Sequence, residues 1–197
     1  MGYDLKIVGG RIIDGTGKPA YEGDVGIKDG KVVALGKAPE AADATINAGG
    51  RIVAPGFVDI HTHYDAQINW DPMLSISPWH GVTTVVMGNC GFGIAPTRRE
   101  HRDLIVRTLE NVEGMSVKSL EAGLGADWSF ETFTEYLDSV EKGGSSINVA
   151  ALLGHTPLRL YVMGPESTER AATDEEVARM KDIMREGLEA GALGFAT

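Results

Sequence analysis

The sequence has one cysteine, few basic residues and no long apolar run. Because Cys90 is the only cysteine, no disulfide can form within the chain. The 28 acidic residues outnumber the 18 lysines and arginines, and the net charge of −10 lacks the basic surface that a nucleic-acid partner requires. We find no run of eighteen apolar residues and no charged-then-apolar leader at Met1. We therefore expect no membrane span, no secretory signal and a cytoplasmic location.

Residues 1–54 predict a small β-sandwich module built from short strands and tight turns. Asp29-Gly30 is a strong signal for a hairpin, since glycine tolerates the positive φ that a type I′ turn demands. About fifty residues is near the lower limit for an independent core, so we expect the module to be incomplete by itself. The predicted strands cover residues 5–8, 11–13, 24–27, 31–35, 44–46 and 52–54.

From Pro55 onward, strands alternate with helices. Repeated βα units imply a parallel sheet, either open or closed into an eight-stranded barrel. Four strands are visible and the fourth runs into Thr197, so the chain is either a natural open sheet or, as we favour, a fragment. The predicted strands lie at 56–63, 82–87, 147–153 and 192–195. The predicted helices are 100–112, a stripe from Phe130 to Val140, and a stripe that begins at the capping box Thr173–Glu176.

Two histidines and the cysteine are predicted to meet at one rim of this sheet. Strand side chains alternate between faces, so Asp59, His61 and His63 share one side. Cys90 closes the next strand, 27 residues after His63, and adjacent parallel strands lie about 4.8 Å apart. Imidazole with thiolate suits zinc. We therefore predict that His61, His63 and Cys90 bind zinc, as one or two ions.

Three further side chains are candidates for supporting a ligand or contacting substrate. Asp59 either holds a ligand histidine through a hydrogen bond or is purely structural. Asn89 either orients substrate or braces the turn beside Cys90, and we favour bracing. His155 ends the third strand at the same rim, where it either serves the site or is an ordinary loop imidazole.

Two segments carry a resemblance to a known family. Pro-Gly-Phe-Val-Asp-Ile-His-Thr-His at 55–63 resembles the first-strand signature of the amidohydrolase superfamily. Gly-Val-Thr-Thr-Val-Val-Met-Gly-Asn-Cys-Gly at 81–91 is similar to the second strand of its N-acyl-D-amino-acid deacylase (D-aminoacylase) branch, where a cysteine is a metal ligand. The fourth strand, 193–197, lacks the carboxylated lysine that bridges the metals in many other amidohydrolases. The absence of a lysine there argues against hydantoinase- or dihydroorotase-like chemistry. The resemblance covers essentially the whole chain.

The resemblance implies a fold, an activity and roles for the candidate residues. The fold is the N-terminal half of a (β/α)8 TIM-type barrel, residues 55–197, preceded by the β-sandwich module. The activity is metal-dependent hydrolysis of N-acyl-D-amino acids to a carboxylic acid and a D-amino acid. His61 and His63 would bind one metal position and Cys90 would ligate or bridge, while two histidines and a general-base aspartate would follow beyond Thr197.

Two other functions stay open at this point. A chain without those later residues should be inactive unless it is joined by the missing C-terminal half of the barrel. The alternatives are therefore a non-catalytic truncated relative, or a different amidohydrolase that acts on another acylated amine or a cyclic amide.

Overall fold

The computed structural model describes residues 2–125 and 128–197. It divides the chain into two compact units, Met1–Gly56 and Phe57–Thr197. None of the helices in these described ranges is both long and apolar enough to cross a membrane.

The first unit is a five-stranded sheet. Its strand order is β3-β2-β1-β4, and β5 also pairs with β1. The pairings of β2 with β1 and with β3 are antiparallel, whereas β4 and β5 run parallel to β1. The strands are β1 (Tyr3–Ile12), β2 (Tyr21–Lys28), β3 (Lys31–Gly36), β4 (Ala42–Asn47) and β5 (Ile52–Val53).

A single strand, β1, replaces the two strands that were predicted at 5–8 and 11–13. The predicted strands left Gly9-Gly10 between them, but the strand continues through both glycines. Gly9 has a φ of +66°, and the register of β1 against β2 shifts between Ile7 and Gly10. The glycines therefore mark a β-bulge within one strand, which is a common use of glycine in a strand interior.

The hairpin predicted at Asp29-Gly30 is confirmed. The two residues connect β2 to β3 and have φ values of +51° and +70°. Positive φ at both central positions is the property that defines a type I′ turn.

The second unit is a parallel sheet of four strands in chain order. The strands β6 (Phe57–Thr62), β7 (Val82–Met87), β8 (Asn148–Gly154) and β9 (Gly194–Ala196) pair only with their neighbours in the order β6-β7-β8-β9. Between β6 and β7 the chain forms two short 3₁₀ turns in place of an α-helix. The helices are α1 (Arg102–Glu113), α2 (Val117–Leu124), α3 (Phe133–Gly143), α4 (His155–Met163) and α5 (Asp174–Glu189).

The predicted capping box at Thr173 is confirmed, and a second one was overlooked. At the start of α5, the Thr173 hydroxyl accepts a hydrogen bond from the backbone N–H of Glu176, and the Glu176 carboxylate accepts one from the backbone N–H of Thr173. Thr132 and Glu135 form the same motif at the start of α3. Because α3 begins after Thr132, the buried Phe130 of the predicted stripe lies outside the helix. The helices α2 and α4 were not predicted.

The core of the second unit lies between the sheet and its helices. Val85, Val86 and Met87 are all buried, so both faces of β7 are covered at its carboxyl end. Strand β6, by contrast, is an edge strand with exposed apolar side chains, and Phe57 is 68% exposed. Helix residues that complete the core include Ile105, Leu109, Leu120, Phe133, Tyr136, Leu158 and Met163.

Candidate metal centre

Two neighbouring imidazoles stand at the carboxyl end of β6. His61 is exposed on the strand, His63 is half-buried just beyond it, and their ring centroids are 5.4 Å apart. Between them, the buried Thr62 donates its hydroxyl hydrogen bond to the carbonyl of Val86 at 2.9 Å. This bond ties the end of β6 to β7, so the histidines stand beside the end of the adjacent strand.

Cys90 lies in the turn that follows β7. Its Sγ atom is 4.0 Å from Nδ1 and 3.9 Å from Nε2 of His63. Ligand atoms of His61, His63 and Cys90 all lie within 4.8 Å of one another. The structure therefore brings together the three residues that the sequence predicted as a group.

Glycines on both sides of Cys90 permit this turn to approach the neighbouring strand. Gly88 and Gly91 have φ values of +81° and +78°, which side chains disfavour. A Cβ atom on Gly88 would lie 2.5 Å from the carbonyl oxygen of Leu152 in β8, and one on Gly154 would lie 2.6 Å from the carbonyl oxygen of Gly91. The Gly-Asn-Cys-Gly sequence thus combines a cysteine that can bind metal with glycines that let the turn lie close to the main chain of β8.

Asp59 and Asn89 make hydrogen bonds to the main chain near the ligands. Oδ1 of Asp59 accepts from the backbone N–H of His61 at 3.2 Å. The side-chain amide of Asn89 donates to the carbonyl of Ile60 at 2.9 Å. Both contacts hold the main chain beside His61, and the Asn89 contact braces the cysteine turn against β6.

His155 stands at the start of α4, immediately after β8. Its ring packs edge-on against Phe195 with centroids 6.0 Å apart. The next residue, Thr156, donates its backbone N–H to the carbonyl of Gly91 at 2.9 Å. His155 is therefore near the turn that carries Cys90, although it is not one of the three residues whose ligand atoms lie within 4.8 Å of one another.

One buried contact near the site had no counterpart in the sequence predictions. Tyr136 in α3 donates its hydroxyl hydrogen bond to the backbone carbonyl of Asp65 at 3.1 Å. Asp65 is buried and lies two residues after His63. A signal was present, because Tyr136 lies three residues after Phe133 on the apolar stripe of that helix.

The family follows from the comparison of this chain with known proteins. Residues 44–197 match the model of the amidohydrolase family. The chain belongs to the amidohydrolase family. Its four parallel strands are the N-terminal half of the barrel, preceded by the β module, as the sequence predicted.

Several relatives of this amidohydrolase are deacylases. D-aminoacylase of Alcaligenes xylosoxydans xylosoxydans is 36% identical over 99% of this chain, and the aligned region is 37% of that protein. The N-acyl-D-glutamate deacylase of Bordetella bronchiseptica, solved with zinc and a phosphonate inhibitor, is 38% identical to this chain, with a TM-score of 0.81. The match covers 100% of this chain and 38% of the deacylase chain. A D-aminoacylase structure that has a binuclear metal centre is 31% identical to this chain, with a TM-score of 0.82. The match covers 99% of this chain and 38% of the D-aminoacylase chain. The chain thus spans 37% of the length of the first of these relatives and 38% of each of the two solved structures.

Proposed function

We propose that the native-length protein, meaning the polypeptide as its gene encodes it, is a zinc-dependent hydrolase. Its reaction is cleavage of the amide bond of an N-acyl-D-amino acid, which releases a carboxylic acid and a D-amino acid. The observation that carries the proposal is the convergence of His61, His63 and Cys90 within 4.8 Å at the carboxyl end of a parallel sheet. Similarity to D-aminoacylase and to a zinc-bound deacylase supports the metal and the substrate class.

The donor set fits zinc in chemistry and in spacing. Zinc–nitrogen bonds of about 2.0 Å and zinc–sulfur bonds of about 2.3 Å at a tetrahedral angle place the two donor atoms about 3.5 Å apart. Cys90 Sγ lies 3.9 Å from Nε2 and 4.0 Å from Nδ1 of His63, so the separation is close to that value and the imidazole must turn to point one nitrogen at the ion. His61, His63 and Cys90 would hold one or two ions. A bound zinc ion would act as a Lewis acid toward the acyl carbonyl and would lower the pKa of a zinc-bound water toward neutrality.

Other residues of this chain are proposed to organise that centre. Asp59 holds the main chain of His61, and Asn89 holds the cysteine turn against β6. We assign His155 to the substrate side, because its helix starts beside Gly91.

The remaining parts of the proposed enzyme are expected in the rest of the native-length protein. These parts are two more histidines, the general-base aspartate and the other half of the barrel. In this proposal residues 1–54 are an incomplete β-sandwich module, and residues 55–197 are the first four βα units. The proposal includes a cytoplasmic location, which suits an unpaired ligand cysteine because thiols stay reduced there.

Replacement of Cys90 tests the proposal directly. In the native-length protein, Cys90→Ala should lose bound zinc and hydrolysis of N-acetyl-D-amino acids together, since the thiolate is both a strong zinc ligand and part of the site. His80→Ala is the matched control, because His80 lies in the 3₁₀ turn that precedes β7, at the opposite end of that strand. Wild-type turnover by Cys90→Ala would show that Cys90 is not part of the site. Hydrolysis of a cyclic amide in preference to every N-acyl-D-amino acid would replace the proposed activity with another amidohydrolase reaction.

A further inference from the structure

The hydroxyl of Tyr136 touches both chain segments that carry the candidate ligands. It donates to the backbone carbonyl of Asp65 at 3.1 Å and lies 3.9 Å from Sδ of Met87. Asp65 is two residues after His63, and Met87 is three residues before Cys90. One atom of α3 therefore contacts the chain on each side of the proposed centre.

Tyr136 is held rigidly and stays a donor. The residue is 2% exposed, and its ring centroid is 5.1 Å from that of Phe130 and 5.9 Å from that of Phe133. Burial, and then the charge of Asp65, raise the pKa of the Tyr136 hydroxyl well above its ordinary value. The hydroxyl is protonated at neutral pH, and a buried hydroxyl is costly unless it is hydrogen-bonded.

The Thr62–Val86 and Asn89–Ile60 hydrogen bonds tie β6 to β7 and to the cysteine turn on the N-terminal side of His63, whereas the bond to Asp65 holds the chain on its C-terminal side. Asn69 also donates to the carbonyl of Asp65, at 3.3 Å, but Asn69 belongs to the same short segment. Its bond shapes the segment without relating it to β7. Tyr136 is 71 residues away along the chain and packs against β7 at Met87, so its bond relates the His63 segment to the strand that leads to Cys90.

We infer that Tyr136 is a positioning residue that sets the separation of His63 and Cys90, and thereby the affinity of the centre for zinc. The inference rests on the proposed function, since it requires those residues to bind metal. Tyr136 needs no contact with metal or substrate in this role. Hydrogen-bonding partners behind metal ligands commonly change metal affinity by about 10- to 100-fold when they are removed.

The test measures zinc affinity in the native-length protein by competition with a chromogenic chelator. Tyr136→Phe removes one oxygen and keeps the ring, and it should bind zinc about 10- to 100-fold more weakly. The Co²⁺-substituted variant should show altered visible bands, because the geometry at Cys90 changes. Tyr64→Phe is the matched control: it also loses a hydroxyl, whose partner is Ser77 at 2.6 Å within the connection from β6 to β7. The control should keep wild-type affinity.

The outcomes separate a failure of this inference from a failure of the proposed function. Wild-type zinc affinity and cobalt bands in Tyr136→Phe, with a lowered melting temperature, would make Tyr136 merely structural and overturn the inference alone. A wild-type protein that binds no zinc, or a Cys90→Ala variant with wild-type affinity, would overturn the proposed function and the inference with it. If Tyr136→Phe does not fold, 4-fluorophenylalanine in place of Tyr136 fills the position of the hydroxyl but has no proton to donate to Asp65. Weaker zinc binding by that protein supports the inference, and wild-type binding refutes it.

Discussion

Adding one methyl group at Gly88 should damage both stability and the metal centre. Gly88 has a φ of +81°, and its Cβ would lie 2.5 Å from the carbonyl oxygen of Leu152. The left-handed conformation costs a side chain about 1–2 kcal/mol, and forcing extra volume into a packed site costs about 1–3 kcal/mol more. We therefore expect Gly88→Ala to lower the free energy of unfolding by about 2–5 kcal/mol. Its zinc affinity should fall as well, since Cys90 is two residues away.

The control for this prediction separates backbone strain from overlap. Gly114, after α1, is left-handed with a φ of +67° and a ψ of 12°, and nothing lies within 4 Å of its Cβ position. Gly114→Ala should thus cost only the backbone part, about 1–2 kcal/mol, and leave zinc affinity unchanged. Urea denaturation and chelator competition on both variants of the native-length protein measure these quantities. Equal losses of stability, or equal zinc affinities, would refute the argument that β8 crowds the cysteine turn.

Two predictions concern pH. Hydrogen bonds from the Arg170 side chain and the Thr173 backbone lower the pKa of Glu176 from 4.5 to about 2, so its stabilising contribution is complete above pH 4.5 and disappears as the pH falls toward 2. The difference in melting temperature between wild type and Glu176→Gln should follow that course, and a constant difference would contradict it. Burial, and then the charge of Asp65, raise the pKa of Tyr136 above its ordinary 10.0, so the native state is penalised as the pH rises past 10. Urea denaturation in alkaline buffers should show a steeper loss of stability for wild type than for Tyr136→Phe.

The elements that sequence predicted well are those whose signals are local. The run Val82–Met87 is β-branched and apolar, and the strand has those bounds. The turn at Asp29-Gly30 and the capping box at Thr173 need only a few residues to specify their geometry. Each was predictable because its stabilising contacts lie within a few positions of one another.

The elements that were missed depend on distant parts of the chain. Helix α2 has eight residues, too few to be stable alone, and it packs where Gly123 leaves room for the ring of Trp70. Helix α4 follows β8 without a loop, and Pro157 lies in its first turn, where proline is tolerated. The pair Gly9-Gly10 resembles a turn, yet β2 pairs with β1 on both sides of the bulge and keeps the strand continuous. Tertiary contacts thus decide α2 and β1, whereas α4 was missed because it starts directly at the end of a strand.

In the candidate site, too, the sequence predicted what depends on local signals and missed what depends on distant contacts. The identities of His61, His63 and Cys90 follow from strand ends, because parallel strands place their carboxyl ends on one edge. Their spacing does not, since it depends on Tyr136 and on the carbonyl of Leu152, both supplied by elements far along the chain. Removal of a ligand should therefore abolish zinc binding, whereas Tyr136→Phe and Gly88→Ala should weaken it while all three ligands remain. A graded loss in these two variants, with a complete loss in Cys90→Ala, would show that ligand identity and ligand spacing contribute separately to the affinity.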